Sequence, residues 1–256
     1  MRRFDGLSVL VSGAAGGFGR SIARAFAAEG AKLLLTDLDD AALEAAAKDL
    51  PDTEIVTLAG DVSREATAQA LVETAIERFG GLDIAINNAG VVHAYKRLST
   101  IEAAEAERVI AIDLMGVFFA MKHQLAAMEA RFEREGRGGA IVNVASVAGL
   151  KGAPLLSVYA AAKHGVIGLT RSAAAETARR GIRVNAVCPS FARTAMVLGG
   201  GRGADSEEEK RIVRGIPMRR LAEVEEVVTA VLFAADPANG FMTGAVLPVD
   251  GGLSAI

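Results

Sequence analysis

The sequence predicts an α/β protein, a doubly wound seven-stranded parallel sheet with helices on both faces, and three observations carry that prediction. Short β-branched or leucine-rich segments alternate with longer alanine-rich segments of helical spacing. The first junction between them, SGAAGGFG at 12–19, is rich in glycine. No Pro- or Ser-rich linker breaks the rhythm, so one domain over residues 1–256 is the economical reading. In order, strands are expected at LSVLVS (7–12), KLLLTD (32–37), EIVTLA (54–59), LDIAIN (82–87), AIVNVAS (140–146), IRVNAV (182–187) and AVLPVD (245–250). Each is too short for a helix and is apolar along most of its length, as a parallel strand buried on both faces must be. Helices are expected at about 17–29, 39–49, 63–79, 101–130, 157–180 and 222–235, the crossovers that parallel strands require.

Composition narrows the function. The 256-residue chain is 51% apolar, ample for a buried core, and its 28 basic and 31 acidic residues give a net charge of −3 without any basic stripe. Neither a nucleic-acid nor a membrane partner is expected. The single cysteine, Cys188, has no clustered ligands around it, so no metal site is expected and a reducing cytoplasm suits the chain. MRRFDGLSVLVSG opens with two arginines before an apolar piece, but Asp5 interrupts the charge pattern and the apolar piece is only strand-length. No apolar run approaches the roughly 18 residues of a membrane span, and the chain is expected to be mature, soluble and complete.

The glycine turn is the first chemical signal. Glycines at 13, 16, 17 and 19 allow a tight turn and close approach to a pyrophosphate, and the following helix offers its positive end. The spacing Gly13-xxx-Gly17-x-Gly19 differs from the tighter G-x-G-x-x-G pattern. Asp37, 24 residues beyond Gly13, is placed to accept hydrogen bonds from both ribose hydroxyls of an adenosine and to repel a 2′-phosphate. Residues 14–16 are Ala-Ala-Gly and residue 38 is Leu, so no nearby base welcomes that phosphate and NAD is expected over NADP. Asp37 could otherwise be a plain helix N-cap.

Three more pieces follow in order: NNAG at 87–90, Ser146, and YAAAK at 159–163. With the glycine turn they closely resemble the short-chain dehydrogenase/reductase family. The resemblance covers almost the whole chain and includes the TGxxxGxG turn with Ser12 in place of Thr, Asp61-Val62, the serine 13 residues before the tyrosine, RVNAVCP at 183–189 and VDGG at 249–252. It implies a Rossmann-type single domain that interconverts a secondary alcohol and a ketone. It also implies that Ser12, Gly13, Gly17, Phe18, Gly19, Asp37, Leu38, Asn87, Ala89, Gly90, Pro189 and Thr194 line or support the cofactor. Asp61 and Val62 would flank the adenine, and Lys163 would hold the nicotinamide ribose.

The chemistry makes sense from the residues themselves. Hydride transfer at an alcohol carbon requires a group that moves the oxygen's proton and a donor to the developing alkoxide. Tyr159 suits the first task and Ser146 the second, while Lys163 lies one helical turn beyond the tyrosine on the same face. A cation at about 4 Å contributes roughly 4 kcal/mol at an effective dielectric of about 20, or about three pKa units. Lys163 is therefore expected to bring Tyr159 down from near 10 toward neutrality.

Two departures stand out. In VIAIDLMGVFF (109–119), Asp113 is the one charge in an apolar run, and relatives usually carry Asn there. In the family that residue lies at a distortion of the fourth helix and its main-chain carbonyl holds a water in a proton relay. Asp113 is expected to keep the relay, its carboxylate stabilised by Lys163 through water or by backbone donors. Pro189-Ser190 replaces the more usual Pro-Gly and bears on substrate size. His93 is either a cavity residue or a surface histidine, His123 and His164 read as packing or surface residues, Cys188 as a small buried one, and Glu207–Glu209 as a solvated helix start.

Residues 189–220 are the least regular, and a substrate lid is expected at about 190–216, with a surface insertion as the plain alternative. The nearest alternative activity is an NADPH-dependent 3-oxoacyl thioester reductase, which Asp37 disfavours. The tyrosine-to-lysine spacing disfavours double-bond reduction. A non-catalytic dinucleotide-sensing regulator would be expected to have lost Ser146, Tyr159 or Lys163. Family resemblance also implies a homotetramer pairing the fourth and fifth helices, and the small residues of AAAK and SAAAETA permit such an approach.

Overall fold

The computed structural model describes residues 2–194 and 207–256, so part of the expected lid, including Arg202, lies outside the described residues. Seven strands form one parallel sheet: β1 (Ser8–Ser12), β2 (Lys32–Thr36), β3 (Ile55–Thr57), β4 (Ile84–Asn87), β5 (Gly139–Val144), β6 (Ile182–Pro189) and β7 (Val246–Val249). Their order is β3-β2-β1-β4-β5-β6-β7, which reverses direction between β1 and β4. That reversal opens a crevice at the carboxyl ends of the two strands, where this class of sheet binds ligands. β1 is buried at every position, as its uninterrupted SVLVS predicted.

Eight α-helices cover the sheet among the described residues: α1 (Gly17–Ala28), α2 (Asp40–Lys48), α3 (Glu65–Phe79), α4 (Ala103–Ile110), α5 (Gly116–Glu135), α6 (Ser157–Thr177), α7 (Glu207–Gly215) and α8 (Val224–Ala235). One apolar layer joins α1 and α8 to one face, with Phe26, Val11, Leu33 and Val231 at its centre. The other joins α3, α5 and α6 to the opposite face through Leu71, Met128, Ile141 and Val166. α1 and α6 bury small side chains, among them Ala23 and Ala27 on α1 and Ala162, Ala173 and Ala174 on α6.

The expected helix at 101–130 is a longer rod with a defect. α4 passes without a break in helical backbone into a π-helical turn, Ala111–Met115, and then into α5. Such a bulge inserts a residue into the ladder and is frequent at functional sites. By length and apolar content alone the rod from Ala103 to Glu135 could cross a bilayer. Here it packs through Val109, Val117, Met121 and Met128, while Met115 and Phe118 face outward.

The ends of the expected lid are anchored. Ala222 donates its N–H to the Phe191 carbonyl at 3.0 Å and accepts from the Arg193 N–H at 3.1 Å. Glu207 opens α7, as its acidic run suggested, and the residue after that helix, buried Ile216, packs against the turn at Gly251, where a Cβ would meet Ile216 Cγ2 at 2.7 Å.

Candidate active site

The glycine turn is held from below by the NNAG strap. Asn88 Nδ2 donates to the carbonyls of Ser12 at 2.9 Å and Gly13 at 3.2 Å, and Ser12 Oγ accepts from the N–H groups of Asn88 and Ala89 at 3.0 and 3.1 Å. Gly13 has φ +67°, and a Cβ there would stand 2.8 Å from Asn88 Nδ2, so the close strap requires glycine. No side chain caps α1, and a Cβ on Gly16 or Gly17 would meet nothing within 4 Å. Bare backbone at a helix N-terminus therefore faces open space, the arrangement that suits a phosphate.

Asp37 closes the adenosine end. Its Oδ2 accepts the Ala15 N–H at 2.9 Å and its Oδ1 the Leu38 N–H at 2.7 Å. It does not cap α2, a task taken by Asp39, which accepts the Ala42 N–H at 3.0 Å. Asp61 Oδ1 accepts from the Ser63 hydroxyl and N–H at 2.7 and 2.9 Å, and these bonds, outweighing partial burial, hold its carboxyl below the usual range.

A cavity of about 820 Å³ runs along the carboxyl ends of the strands. Of the expected cofactor residues it is lined by Gly13, Gly17, Phe18, Asp37, Leu38, Asp61, Val62, Ala89, Gly90, Pro189 and Thr194, and by all four expected catalytic residues. Ser12, Gly19 and Asn87 stand behind that wall. Ser12 ties the strap, Asn87 bonds Gln124 and Asn143, and a Cβ on Gly19 would fall 1.9 Å from the Gly13 carbonyl oxygen. Gly16 of the glycine turn borders the cavity too, as do Ala15, Asn88, Val92, Tyr95 and Lys151, to which the sequence assigned no role of their own. Asn88 was legible inside NNAG, but nothing in the sequence marked Tyr95 or Lys151. Ser190 borders it as well, whereas buried His93 does not and places Nδ1 2.8 Å from the Ala94 carbonyl. His123 pairs with Glu65 at 3.1 Å and His164 bonds the Ala160 carbonyl at 2.9 Å, both away from the cavity.

The reacting end is built by two elements. Ser146 ends the segment after β5 and caps a short 3-10 turn, its Oγ accepting the Ala148 N–H at 3.1 Å. That turn packs on α6 so tightly that a Cβ on Gly149 would meet the Lys163 carbonyl at 2.8 Å, which fixes Ser146 toward Tyr159. Tyr159 is half-buried and lines the cavity, and its hydrogen bond with Ser146 favours its ionised form. Lys163 Nζ lies 5.6 Å from the Tyr159 ring centroid and donates to the Val144 carbonyl at 3.2 Å.

Asp113 changes the electrostatics. It is fully buried on the π turn, with Oδ1 accepting the Val91 N–H at 2.8 Å and Oδ2 3.2 Å from Lys163 Nζ. The pair is direct, where the sequence reading allowed a water or backbone donors alone. Burial pushes the Asp113 carboxyl up against the pull of Lys163 and Val91. Burial also disfavours the Lys163 ammonium, but Asp113 and Tyr159 outweigh it and the lysine is held protonated above its ordinary range. Tyr159 is raised, not lowered: burial dominates, Lys163 and Ser146 pull downward without overcoming it, and Asp113 adds to the rise. This corrects the expectation drawn from a lone cation. Cys188, below the site, is pushed up to about 11 by burial and is no nucleophile.

A glycine-turn crevice at the sheet's reversal, joined to a buried Ser-Tyr-Lys group, defines a dinucleotide-dependent oxidoreductase, and comparison agrees. A family model described as enoyl-(acyl carrier protein) reductase matches residues 13–254. The chain is similar to levodione reductase of Leifsonia aquatica, 39% identical over 99% of this chain and 96% of that one. The crystal structure of levodione reductase superposes with a TM-score of 0.92 at 38% identity, covering 99% of both chains. Similar too are cis-4-hydroxycyclohexanecarboxylate dehydrogenase of Sinomonas cyclohexanicum (40% identical, 96% of each chain) and cyclohexanol dehydrogenase of Acinetobacter sp. (37%, covering 97% and 95%). The chain belongs to the short-chain dehydrogenase/reductase family, whose members use a nicotinamide dinucleotide.

Proposed function

We propose that the protein is an NAD(H)-dependent oxidoreductase that interconverts a secondary alcohol and a ketone carried on a six-membered ring. The observation that carries the reaction is the joint placement of Ser146, Tyr159 and Lys163 on the wall of one cavity whose far end holds Asp37. A bound nicotinamide ring supplies or accepts the hydride. Tyr159 gives its proton to the carbonyl oxygen during reduction and takes one back during oxidation, Ser146 donates a hydrogen bond to that oxygen, and Lys163 keeps the proton store charged. The Gly16–Phe18 backbone at the start of α1 would hold the diphosphate and Asp37 the adenosine ribose.

Asp37 supports NAD over NADP, because its carboxylate is fixed by two N–H groups at the cavity edge. The two lysines lining the cavity are committed elsewhere, Lys163 to Asp113 and Lys151 to the carbonyls of Leu253 and Ile256 at 2.9 and 3.0 Å. The ring preference is supported by two similar enzymes named for cyclohexane-ring alcohols, and by the apolar substrate side formed by Val92, Ala148, Pro154, Leu156, Phe191 and Leu253. The exposed Met115 and Phe118 and the small residues of α6 support a homotetramer, and a buried free Cys188 suits the cytoplasm. Turnover of a panel of cyclic and open-chain alcohols and ketones with each of the four cofactor forms tests the reading. Faster NADPH than NADH oxidation, or a preference for linear thioesters, would overturn it.

A further inference from the structure

The feature that the proposed reaction leaves unexplained is a carboxylate, buried to 0% exposure, beside the catalytic lysine. We propose that Asp113 is the counter-ion of Lys163 and a positioning residue for the Tyr159 proton, keeping the tyrosine protonated through neutral pH so that the site favours proton donation, hence ketone reduction. This rests on the reaction assigned above to Tyr159.

The geometry has three parts. Asp113 Oδ2 faces Lys163 Nζ at 3.2 Å, and the ammonium is what compensates its charge. Its Oδ1 accepts the Val91 N–H at 2.8 Å, tying the loop after NNAG to the π turn. The space for both is left by Gly90, where a Cβ would stand 3.1 Å from Oδ2 and 3.3 Å from Nζ.

A lone buried ammonium would favour tyrosinate strongly, whereas an ammonium with a carboxylate in contact presents Tyr159 with a dipole in which the carboxylate offsets part of the ammonium's field. With Tyr159 protonated, the group Asp113–Lys163–Tyr159 is neutral overall. Losing its next proton leaves a net negative charge in a buried place, which is costly. With Asn at 113 the same group begins one unit more positive and loses that proton more readily. The other groups facing it do not replace the carboxylate. Arg108 on α4 favours the ionised form of Asp113, Cys188 on β6 is held as a neutral thiol, Tyr95 in the loop opposes ionisation of Tyr159, and Ser146 favours it as a hydrogen-bond donor.

The test reads the tyrosine directly. The chain has two tyrosines and no tryptophan, so Tyr95→Phe leaves Tyr159 as the one chromophore that gains absorbance at 295 nm on ionisation. In that background Asp113→Asn, which preserves an acceptor for Val91, is expected to lower the pH of tyrosinate formation by at least about one unit. Asp113→Glu, which preserves the charge, is expected to stay near the parent. In the otherwise unaltered protein, Asp113→Asn should move the falling limb of the ketone-reduction pH profile down by a similar amount. An Asn variant whose titration stays put or moves upward would overturn the counter-ion role. A lowered titration in a protein inactive on every ring ketone would uphold it and instead overturn the reaction.

Discussion

Tyr159 and Lys163 stand one helical turn apart on α6, yet the carboxylate that pairs with Lys163 comes from the π turn some 50 residues earlier in the chain. Burial of Tyr159 raises it above its ordinary value, so in the free protein it is a proton donor at neutral pH. Ketone reduction is therefore expected to hold level across neutral pH, and alcohol oxidation to rise as the pH climbs toward the tyrosine's raised value. Tyr159→Phe should lower kcat about a thousandfold while leaving NADH binding intact, measured by steady-state rates beside NADH fluorescence titration. At the other end of the cavity, Asp37→Ala should raise the KM for NAD roughly ten- to a hundredfold and narrow the preference over NADP, with kcat less affected. Comparing the two cofactors' kcat/KM checks this. Both residues were legible in the sequence, Asp37 from its distance to Gly13 and Tyr159 from YAAAK, but the sign of the tyrosine's shift was not.

Strands and helices were mostly readable from hydrophobic pattern, and the discrepancies have local causes. The third strand was expected over 54–59 and spans only Ile55–Thr57, because it is an edge strand whose residues are half-buried and whose pattern weakens toward its ends. The rod from Ala103 to Glu135 reads as one helix in sequence since a π turn changes no residue type, and only the resemblance signalled a distortion there. Arg183 is a plainer omission. It reads as part of RVNAVCP, yet its side chain is buried and donates to the carbonyls of Ala234 and Ala235 at 2.9 Å and Asp236 at 3.1 Å, closing the C-terminus of α8. Arg183→Met should leave those carbonyls unpaired and cost about 3 kcal/mol of stability, with Arg183→Lys costing less, both measured by urea unfolding.

For the whole molecule, one source of acid sensitivity is the C-terminal turn that packs on Ile216. Burial alone would raise Asp250, but the N–H groups of Gly252 at 3.0 Å and Ser254 at 2.8 Å prevail and its carboxyl is lowered. A group lowered in the folded state contributes stability that is complete above its unfolded value, near 3.8, and is lost as pH falls through the lower folded value. Asp250→Asn should therefore reduce stability at neutral pH and flatten the acid limb, as followed by thermal unfolding from pH 7 down to 2. Since Ile216 packs against this turn, the same change should also loosen the root of the expected lid. At the largest scale, sedimentation should give four times the 26.5 kDa chain mass.

By itself the sequence determined the alternation of strands and helices, the glycine turn, the acidic residue at the end of β2 and the Ser-Tyr-Lys group. These are local patterns of period, spacing and residue type, which the chain carries wherever it folds. The tertiary structure alone decided which of those residues face the cavity and which, like Ser12 and Asn87, brace it from behind. It also decided that Asp113 touches Lys163 directly and that Tyr159 is raised. The physical reason is that electrostatic sign in a buried site depends on distances between groups far apart in the chain, and a difference of a few ångströms separates a lone cation from a neutralised pair.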